Sequence, residues 1–239
     1  MPLPKIATPT YELELPSTGQ TIQYRPFLVK EEKLLVLALE GEDVKEITTA
    51  IKNVIKSCIQ TKGIKVDTLP TFDIEYLFLN IRGKSVGEEI EVKLLCPDDN
   101  ETYVPVMIPI DEIGILKSDE HTNKIKLDSN LMMEMKYPSL AEFIKNNFDF
   151  AGDATMDQSF DLIASCIDKI YNEEEVWAAA DCTKKEINSF LDQMNSSQFK
   201  EIETFFETMP KLSHTVKLKN PKTKVESEVV LEGLSSFFG

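Results

Sequence analysis

The sequence predicts an α+β fold in which helical bodies carry an N-terminal β-hairpin, a small central β module and a C-terminal β-hairpin. Two observations lead to this fold class. In three stretches of the 239-residue chain, apolar residues alternate with polar ones, which is the period of a half-buried strand. Between those stretches, apolar residues recur every three or four positions, which is the period of an amphipathic helix.

The first region, residues 1–85, is predicted to begin with a hairpin and a buried helix. Residues 11–15 and 21–27 alternate around a turn that contains glycine, as the strands of a hairpin do. Residues 29–39 then predict a helix that is largely buried, because Leu34–Leu39 is an unbroken apolar run.

Two further helices complete this region. Asp43 has the side chain of an N-cap, and it precedes an amphipathic stretch that Gly63 ends. Thr71 follows Pro70 and is expected to cap a third helix, which stops near Gly83. The apolar residues that this third helix carries are Phe72, Ile74, Leu77, Phe78 and Ile81.

Residues 86–137 change to the period of strands and predict a small β module. Two strands surround a turn rich in aspartate, and shorter strand candidates follow them. The predicted strands are residues 90–94, 103–108, 124–127 and 131–137.

The last region, residues 138–239, is predicted to be helical up to a C-terminal hairpin. Capping boxes at 139–142 and 183–186 each begin a helix, and Pro210 ends the last one. The three regions are separate domains, or one compact domain in which residues 86–137 are an insertion. The elements predicted here are helices over about 160–170 and 197–209, strands over 214–218 and 225–231, and an apolar segment over 234–238.

The charge balance excludes two classes of partner. The chain has 26 Lys and Arg against 41 Asp and Glu, a net charge of −15, and such a surface repels nucleic acid and anionic membranes. The longest apolar run is far shorter than the roughly 20 residues that a membrane-spanning helix needs. The first residues also lack the basic and apolar segments of a signal peptide. We therefore expect neither nucleic-acid binding nor membrane insertion.

We predict no catalytic residues, no cofactor and no metal. Glycine-rich phosphate loops are absent, and His121 and His214 offer few combinations for an activated nucleophile. The acidic stretch at 149–153 lacks the spacing of a calcium loop, and the one at 173–175 is typical of a solvated helix start. Trp177 is expected to anchor a core. The cysteines, which form no close pair of the kind that binds zinc, are Cys58, Cys96, Cys166 and Cys182.

The C-terminal hairpin and the segment after it carry the candidate partner-binding residues. Lysines are concentrated in this part of a strongly acidic chain, and two consecutive phenylalanines follow. The lysines either protect an edge strand from aggregation or dock onto an acidic partner. The phenylalanines either fold back into the core or insert into another protein. The candidate residues are Lys217, Lys219, Lys222, Lys224, Phe237 and Phe238, with Lys211 beside them.

Four segments of the chain carry a resemblance to a known family. They are Arg25–Lys33, Leu69–Gly87, Phe205–Pro210 and Leu231–Phe238. Together they resemble the baseplate hub subunit family of T4-like contractile-tailed bacteriophages, over nearly the whole chain. The resemblance implies a non-catalytic protein that acts in baseplate hub assembly, as a structural subunit or an assembly factor. It also implies other baseplate hub proteins as partners, and a location in the host cytoplasm during assembly or in the virion tail baseplate.

Two other functions stay open on sequence grounds. The abundant carboxylates are compatible with a small-molecule enzyme that pairs them for acid–base chemistry. A phage protein without a reaction centre is also compatible with an effector directed at the host. The sequence leaves the oligomeric state open.

Overall fold

The computed structural model describes two compact units. Unit 1 consists of Met1–Leu116 and Lys211–Gly239, and unit 2 consists of Lys117–Pro210. Helices combined with several small antiparallel sheets confirm the α+β fold class, including a hairpin in the N-terminal and another in the C-terminal part of the chain. The residues that the structure describes are 6–41, 43–140 and 156–238.

The described elements are numbered in chain order. The helices are α1 Val29–Glu40, α2 Val44–Cys58, α3 Thr71–Val86, α4 Met156–Cys166, α5 Lys184–Leu191, α6 Ser196–Thr208 and α7 Ser235–Phe238. The strands are β1 Tyr11–Glu14, β2 Thr21–Tyr24, β3 Glu89–Leu95, β4 Tyr103–Pro109, β5 Gly114–Leu116, β6 Lys124–Lys126, β7 Met132–Met135, β8 Ile167–Tyr171, β9 Val176–Ala178, β10 Lys211–Lys219 and β11 Glu226–Glu232.

The N-terminal hairpin of unit 1 forms as predicted. Strands β1 and β2 pair antiparallel, with Tyr11 opposite Tyr24. Gly19 in the turn has a φ of 70°, a left-handed conformation that glycine adopts without a side-chain clash. Alternate residues of β2 are buried, so Ile22 and Tyr24 join the core of unit 1.

Helix α2 begins where the sequence predicts. The carboxylate of Asp43 accepts hydrogen bonds from the backbone N–H groups of Lys45 and Glu46, at 2.8 and 3.2 Å. These bonds satisfy donors that the first turn leaves unpaired. The helix ends at Cys58, before the predicted stop at Gly63.

Helix α3 is largely buried in unit 1, where it contacts α2, β5 and β10. The predicted cap is wrong, because Thr71 begins the helix and no side chain caps it. The predicted end is also wrong, since the helix continues past Gly83. Gly83 is a packing position instead: a Cβ there would lie 3.0 Å from Cδ1 of Ile110. The buried apolar side chains of α3 are Phe72, Ile74, Leu77, Phe78, Leu79 and Ile81.

Two sheets of unit 1 come from the middle and the end of the chain. Strands β3 and β4 pair only with each other in the described part of the chain. Strand β10 lies between β11 and β5, so the C-terminal hairpin, which is confirmed, gains a third strand from the centre of the sequence.

Unit 2 is a four-stranded antiparallel sheet with strand order β6-β7-β8-β9, packed with α4, α5 and α6. The predicted capping box at Thr183 is confirmed, and Asn195 forms another at the start of α6. The most deeply buried side chains of this core are Ile125, Met133, Met135, Cys166, Ile167, Leu191, Ile202 and Phe205.

Three predictions in unit 2 are wrong. The helix expected over 160–170 stops early, and Ile167 begins β8, which pairs with β7. Glu173–Glu175 lies in the β8–β9 turn, where Asn172 accepts backbone hydrogen bonds, and not at a helix start. Trp177 lies on β9, the edge strand of the sheet, with 40% of its surface exposed, so it does not anchor a core.

The four strands predicted as a module over residues 86–137 fall into two different sheets, β3-β4 and β6-β7-β8-β9, and the structure adds β5, which pairs with β10. The predicted division of the chain at residues 85 and 137 concerns independent folding and stays a prediction. Glu142 of the expected capping box and the acidic stretch at 149–153 lie outside the described residues. Within the described ranges, no helix is long and apolar enough to span a membrane.

Candidate interaction surface

Helix α1 exposes most of its apolar side chains. The exposed fraction is 52% for Leu34, 48% for Val36 and 64% for Leu37, and the buried residues of the helix are Glu31 and Ala38. Exposed apolar side chains at this density on one helix are typical of a surface that contacts another molecule. We call the following side chains the α1 surface: Val29, Leu34, Val36, Leu37 and Leu39.

The expectation of a largely buried first helix is therefore wrong, although its bounds are nearly right. An apolar run without polar positions has no period that separates a core-facing side from a solvent-facing side. The same run suits a core and an intermolecular interface, and only the tertiary structure distinguishes them. On one flank, Leu34 lines an open groove with residues of α2, which are Lys45, Glu46, Thr49, Ala50 and Asn53.

An ion pair between half-buried Arg25 and buried Glu31 fixes the start of α1. Glu31 is 2% exposed, and its Oε1 lies 2.9 Å from Nη2 of Arg25. Its Oε2 accepts the backbone N–H of Leu28 at 2.8 Å, so the same carboxylate also satisfies a donor at the helix start. Arg25 in turn donates to the carbonyl oxygen of Pro26 at 2.8 Å. This network holds the first turn of α1 to the segment between β2 and α1.

The ion pair of Glu31 with Arg25, which anchors α1, weakens in acid. Desolvation alone would raise the pKa of Glu31, but hydrogen bonds from Arg25, Leu28 and Lys30 outweigh it and lower the pKa below its ordinary value. A carboxyl with a lowered pKa in the folded state stabilises that state above its unfolded pKa. The stabilisation is lost as pH falls through the folded pKa, so the anchor is complete at neutral pH and weakens in acid.

The C-terminal hairpin sets its lysines against glutamates. Nζ of Lys217 lies 3.4 Å from Glu228, and Nζ of Lys219 lies 2.9 Å from Glu226, in both cases directly across from β10 to β11. Lys211 similarly reaches a carboxylate of β11 at 3.5 Å. The basic patch expected from the sequence is thus neutralised along the strands.

The turn of this hairpin carries the other two candidate lysines. Lys222 and Lys224 are exposed, and neither forms an ion pair within the part of the chain that the structure describes. The turn is held by Asn220, which is fully buried and donates from Nδ2 to the carboxylates of Asp98 and Asp99 at 2.9–3.1 Å. Two exposed lysines without a direct ion pair therefore stand at the turn, beside the carboxylates of Asp98 and Asp99.

The segment after the hairpin folds back onto unit 1. Leu234 is 9% exposed and Phe237 is 1% exposed, so both belong to the core. Helix α7 contacts β3 and β11 there. Of the two alternatives for this segment, the structure favours the core for Phe237, which is not presented to a partner. The side chain of Phe238 lies outside the described residues.

Buried Glu75 holds the start of this segment. Its Oε1 accepts the backbone N–H of Leu234 at 3.1 Å. Burial raises the pKa of Glu75 from 4.5 to about 7. Because the folded state disfavours the ionised carboxylate, the free energy of unfolding decreases as pH rises from about 4.5 to about 7.

Replacing Glu75 by glutamine should therefore stabilise the protein more at pH 8 than at pH 5, by about 2–3 kcal/mol. Glutamine has nearly the same shape and keeps an oxygen for the N–H of Leu234, but it does not ionise. Thermal unfolding of both proteins at the two pH values measures the difference, with the exposed Glu228→Gln as control. A shift in melting temperature that is equal at both pH values would show that Glu75 does not titrate on folding.

The two histidines make local hydrogen bonds. The ring nitrogens of His121 lie 2.9 Å from the hydroxyl of Thr208 and 3.0 Å from that of Tyr137, and burial lowers the pKa of this histidine. Nδ1 of His214 lies 3.1 Å from the carbonyl oxygen of Glu112. Both rings are thus tied to neighbouring groups of the fold.

The cysteines are distributed rather than clustered. Cys58, Cys96 and Cys166 are buried, and Cys182 is half-buried. Burial raises the pKa of the Cys58 thiol to about 11, which keeps it protonated and unreactive at neutral pH. Over the described ranges, no group of three or more His, Cys, Asp or Glu side chains is arranged to hold a metal ion.

The sequence analysis did not predict the α1 surface or the ion pair of Arg25 with Glu31. Only part of the evidence for them is visible in the sequence. The apolar run at Leu34–Leu39 has charged residues on both sides, as an exposed interface helix would. The pairing of Arg25 with Glu31 depends on the turn between β2 and α1, which no periodicity encodes. The neutralised lysines had a visible signal, since β10 and β11 alternate in lysine and glutamate at facing positions.

Comparison with known proteins gives one family. A family model described as T4 bacteriophage base plate protein matches residues 8–239. No curated protein and no solved structure matches the chain. The family match covers both units and includes the α1 surface.

Proposed function

Because the chain belongs to the family of T4 bacteriophage base plate proteins, we propose that it is a non-catalytic component of the tail baseplate hub. Family membership gives a structural role in the phage tail baseplate and contacts with other baseplate proteins. Our proposal adds the hub as the place of action and hub assembly as the process. The protein acts there as a structural subunit or an assembly factor, first in the host cytoplasm.

The observation that carries this proposal is the α1 surface. Five large apolar side chains, each at least 48% exposed, lie on a single helix whose start is fixed by the ion pair of Arg25 with Glu31. Exposure of that much apolar surface is unfavourable for a protein that works alone in water. It is expected of a subunit that buries the same surface in an assembly, where apolar side chains form the centre of the contact.

Affinity capture from cells that co-express the baseplate hub proteins tests this role. The full chain should retain hub proteins, and the double variant Leu34→Glu and Leu37→Glu should retain at least tenfold less, because it places two charges in the contact. Val230→Glu is the matched control, since Val230 is an apolar side chain of similar exposure on β11. Equal capture by the double variant and the control would contradict a role of α1 in the contact.

We also propose a second, electrostatic contact through the lysines Lys217, Lys219, Lys222 and Lys224. Charge complementarity to an acidic partner supports it at the turn, where Lys222 and Lys224 are exposed. In the same capture experiment, Lys222→Glu with Lys224→Glu should weaken the dependence of retention on salt, because steering between exposed charges is screened over roughly 10 Å at 0.1 M. An unchanged salt dependence would leave edge protection as the role of these lysines.

A further inference from the structure

We propose that the α1 surface is occupied by α1 of a second copy of this chain, packed antiparallel. This inference rests on the proposed function, in which the same surface is the contact of the protein within the baseplate hub. The order of charged residues along α1 is complementary to the same order in an antiparallel copy, which favours a second copy as the partner. The apolar residues between the charges form the centre of the contact.

The apolar part of α1 lies in the middle of the exposed face. At 3.6 residues per turn, Val29, Lys33, Val36, Leu37 and Glu40 share the side of the helix that is opposite to buried Ala38. Val36 and Leu37 therefore occupy the centre of this face, with Lys33 on their N-terminal side and Glu40 on their C-terminal side, and Val29 lies beyond Lys33 at the helix start. An apolar centre with a charged rim is the usual composition of a protein–protein contact.

The charges at the two ends have opposite sign. Lys30 and Lys33 stand in the N-terminal half of α1, whereas Glu40 ends the helix and Asp43 follows it. Glu31 pairs with Arg25 and Lys30 at this first end, and Glu32 is exposed there, so three basic residues stand against two acidic ones and the end stays positive. A helix with this order presents a positive end and a negative end on either side of an apolar centre.

An antiparallel copy centred between Val36 and Leu37 matches the four positions of this face from Lys33 to Glu40, and Val29 lies beyond the paired part. It places Val36 of one protomer against Leu37 of its partner, and Lys33 of one protomer opposite Glu40 of its partner. Each contact occurs twice because the arrangement is two-fold symmetric. A parallel copy would set lysine against lysine and glutamate against glutamate.

Sedimentation equilibrium of the purified full chain tests the pairing without any other baseplate protein. We expect a dimer that Leu37→Glu converts to a monomer. Lys33→Glu alone and Glu40→Lys alone should each weaken the dimer about tenfold, because each sets like charges opposite one another at two symmetric places. Lys200→Glu, with the same charge change at an exposed position of α6, is the control that should leave the dimer intact.

The most specific test is whether two charge variants restore dimerisation when they are mixed. In the Lys33→Glu variant, positions 33 and 40 are both acidic, and in the Glu40→Lys variant both are basic. An equimolar mixture of the two variants should therefore form a heterodimer more tightly than either variant forms a homodimer. The chain that carries both substitutions should also dimerise again. Circular dichroism of each variant confirms that its helices are intact.

Two results would overturn the inference. A wild-type chain that stays monomeric at every concentration, while Leu34→Glu with Leu37→Glu still abolishes hub capture, would assign α1 to a different baseplate protein and leave the proposed function standing. A dimer that survives Leu37→Glu, or charge variants that show no rescue on mixing, would place the dimer contact outside α1.

Discussion

Replacing Phe78 by alanine should lower the free energy of unfolding by about 3–5 kcal/mol. Phe78 is 7% exposed and lies in the middle of α3, where its neighbours Leu77 and Leu79 are fully buried. Removing the ring loses its transfer free energy and leaves a cavity that the neighbouring α2, β5 and β10 close only in part. Urea unfolding followed by circular dichroism measures the loss, provided that the slope with denaturant is unchanged.

The matched control for this prediction is Leu37→Ala on α1. Leu37 is also a large apolar residue on a helix, but it is 64% exposed, so its truncation should cost less than about 0.5 kcal/mol. A loss below about 1 kcal/mol for Phe78→Ala would mean that the core of unit 1 is not built on α3.

Replacing Glu31 by alanine should lower the free energy of unfolding by about 2–4 kcal/mol, because it leaves the half-buried guanidinium of Arg25 without its carboxylate. It also removes the acceptor of the Leu28 N–H at the start of α1. The same urea experiment measures this loss. The wild-type protein should in addition lose stability as pH falls through the lowered pKa of Glu31, and the alanine variant should show less of this acid dependence.

Glu31→Gln separates the charge from the hydrogen bond. Glutamine keeps an oxygen for the Leu28 N–H but has no charge for Arg25, so it should cost less than alanine and more than a surface substitution. If alanine and glutamine were both nearly neutral, the ion pair would not anchor α1.

Local signals in the sequence were sufficient for most elements of the fold. The side chains of Asp43 and Thr183 each accept hydrogen bonds from nearby backbone N–H groups at the start of a helix, so the local sequence predicts both helix starts. The alternation in β1, β2, β10 and β11 likewise reports strands that bury one face. These features depend on residues close together in the chain, which is why a sequence pattern reports them.

Features that depend on distant residues could not be predicted in this way. Ile167 continues the apolar spacing of α4 but forms a strand, because pairing with β7 determines its conformation. Trp177 has the composition of a core anchor, yet it lies on an edge strand. In the same way, β5 joins β10 from nearly 100 residues away, so no local pattern assigns it to that sheet.

The candidate site shows the same limit. The residues of α1 were assigned to a helix correctly, but whether a helix faces its own core or a partner is decided by what the rest of the chain covers. The lysines of the C-terminal hairpin were found by composition, whereas their neutralisation depends on the register that sets Lys217 against Glu228.

The central claim is that the protein acts in the baseplate through the α1 surface. Complementation of a phage that lacks a functional copy of this chain tests it most directly, with complete baseplates counted by electron microscopy of the lysate. Wild type and Val230→Glu should restore baseplates, and the double variant Leu34→Glu and Leu37→Glu should restore at least tenfold fewer while remaining folded. Complete baseplates at wild-type numbers with the double variant would contradict the claim.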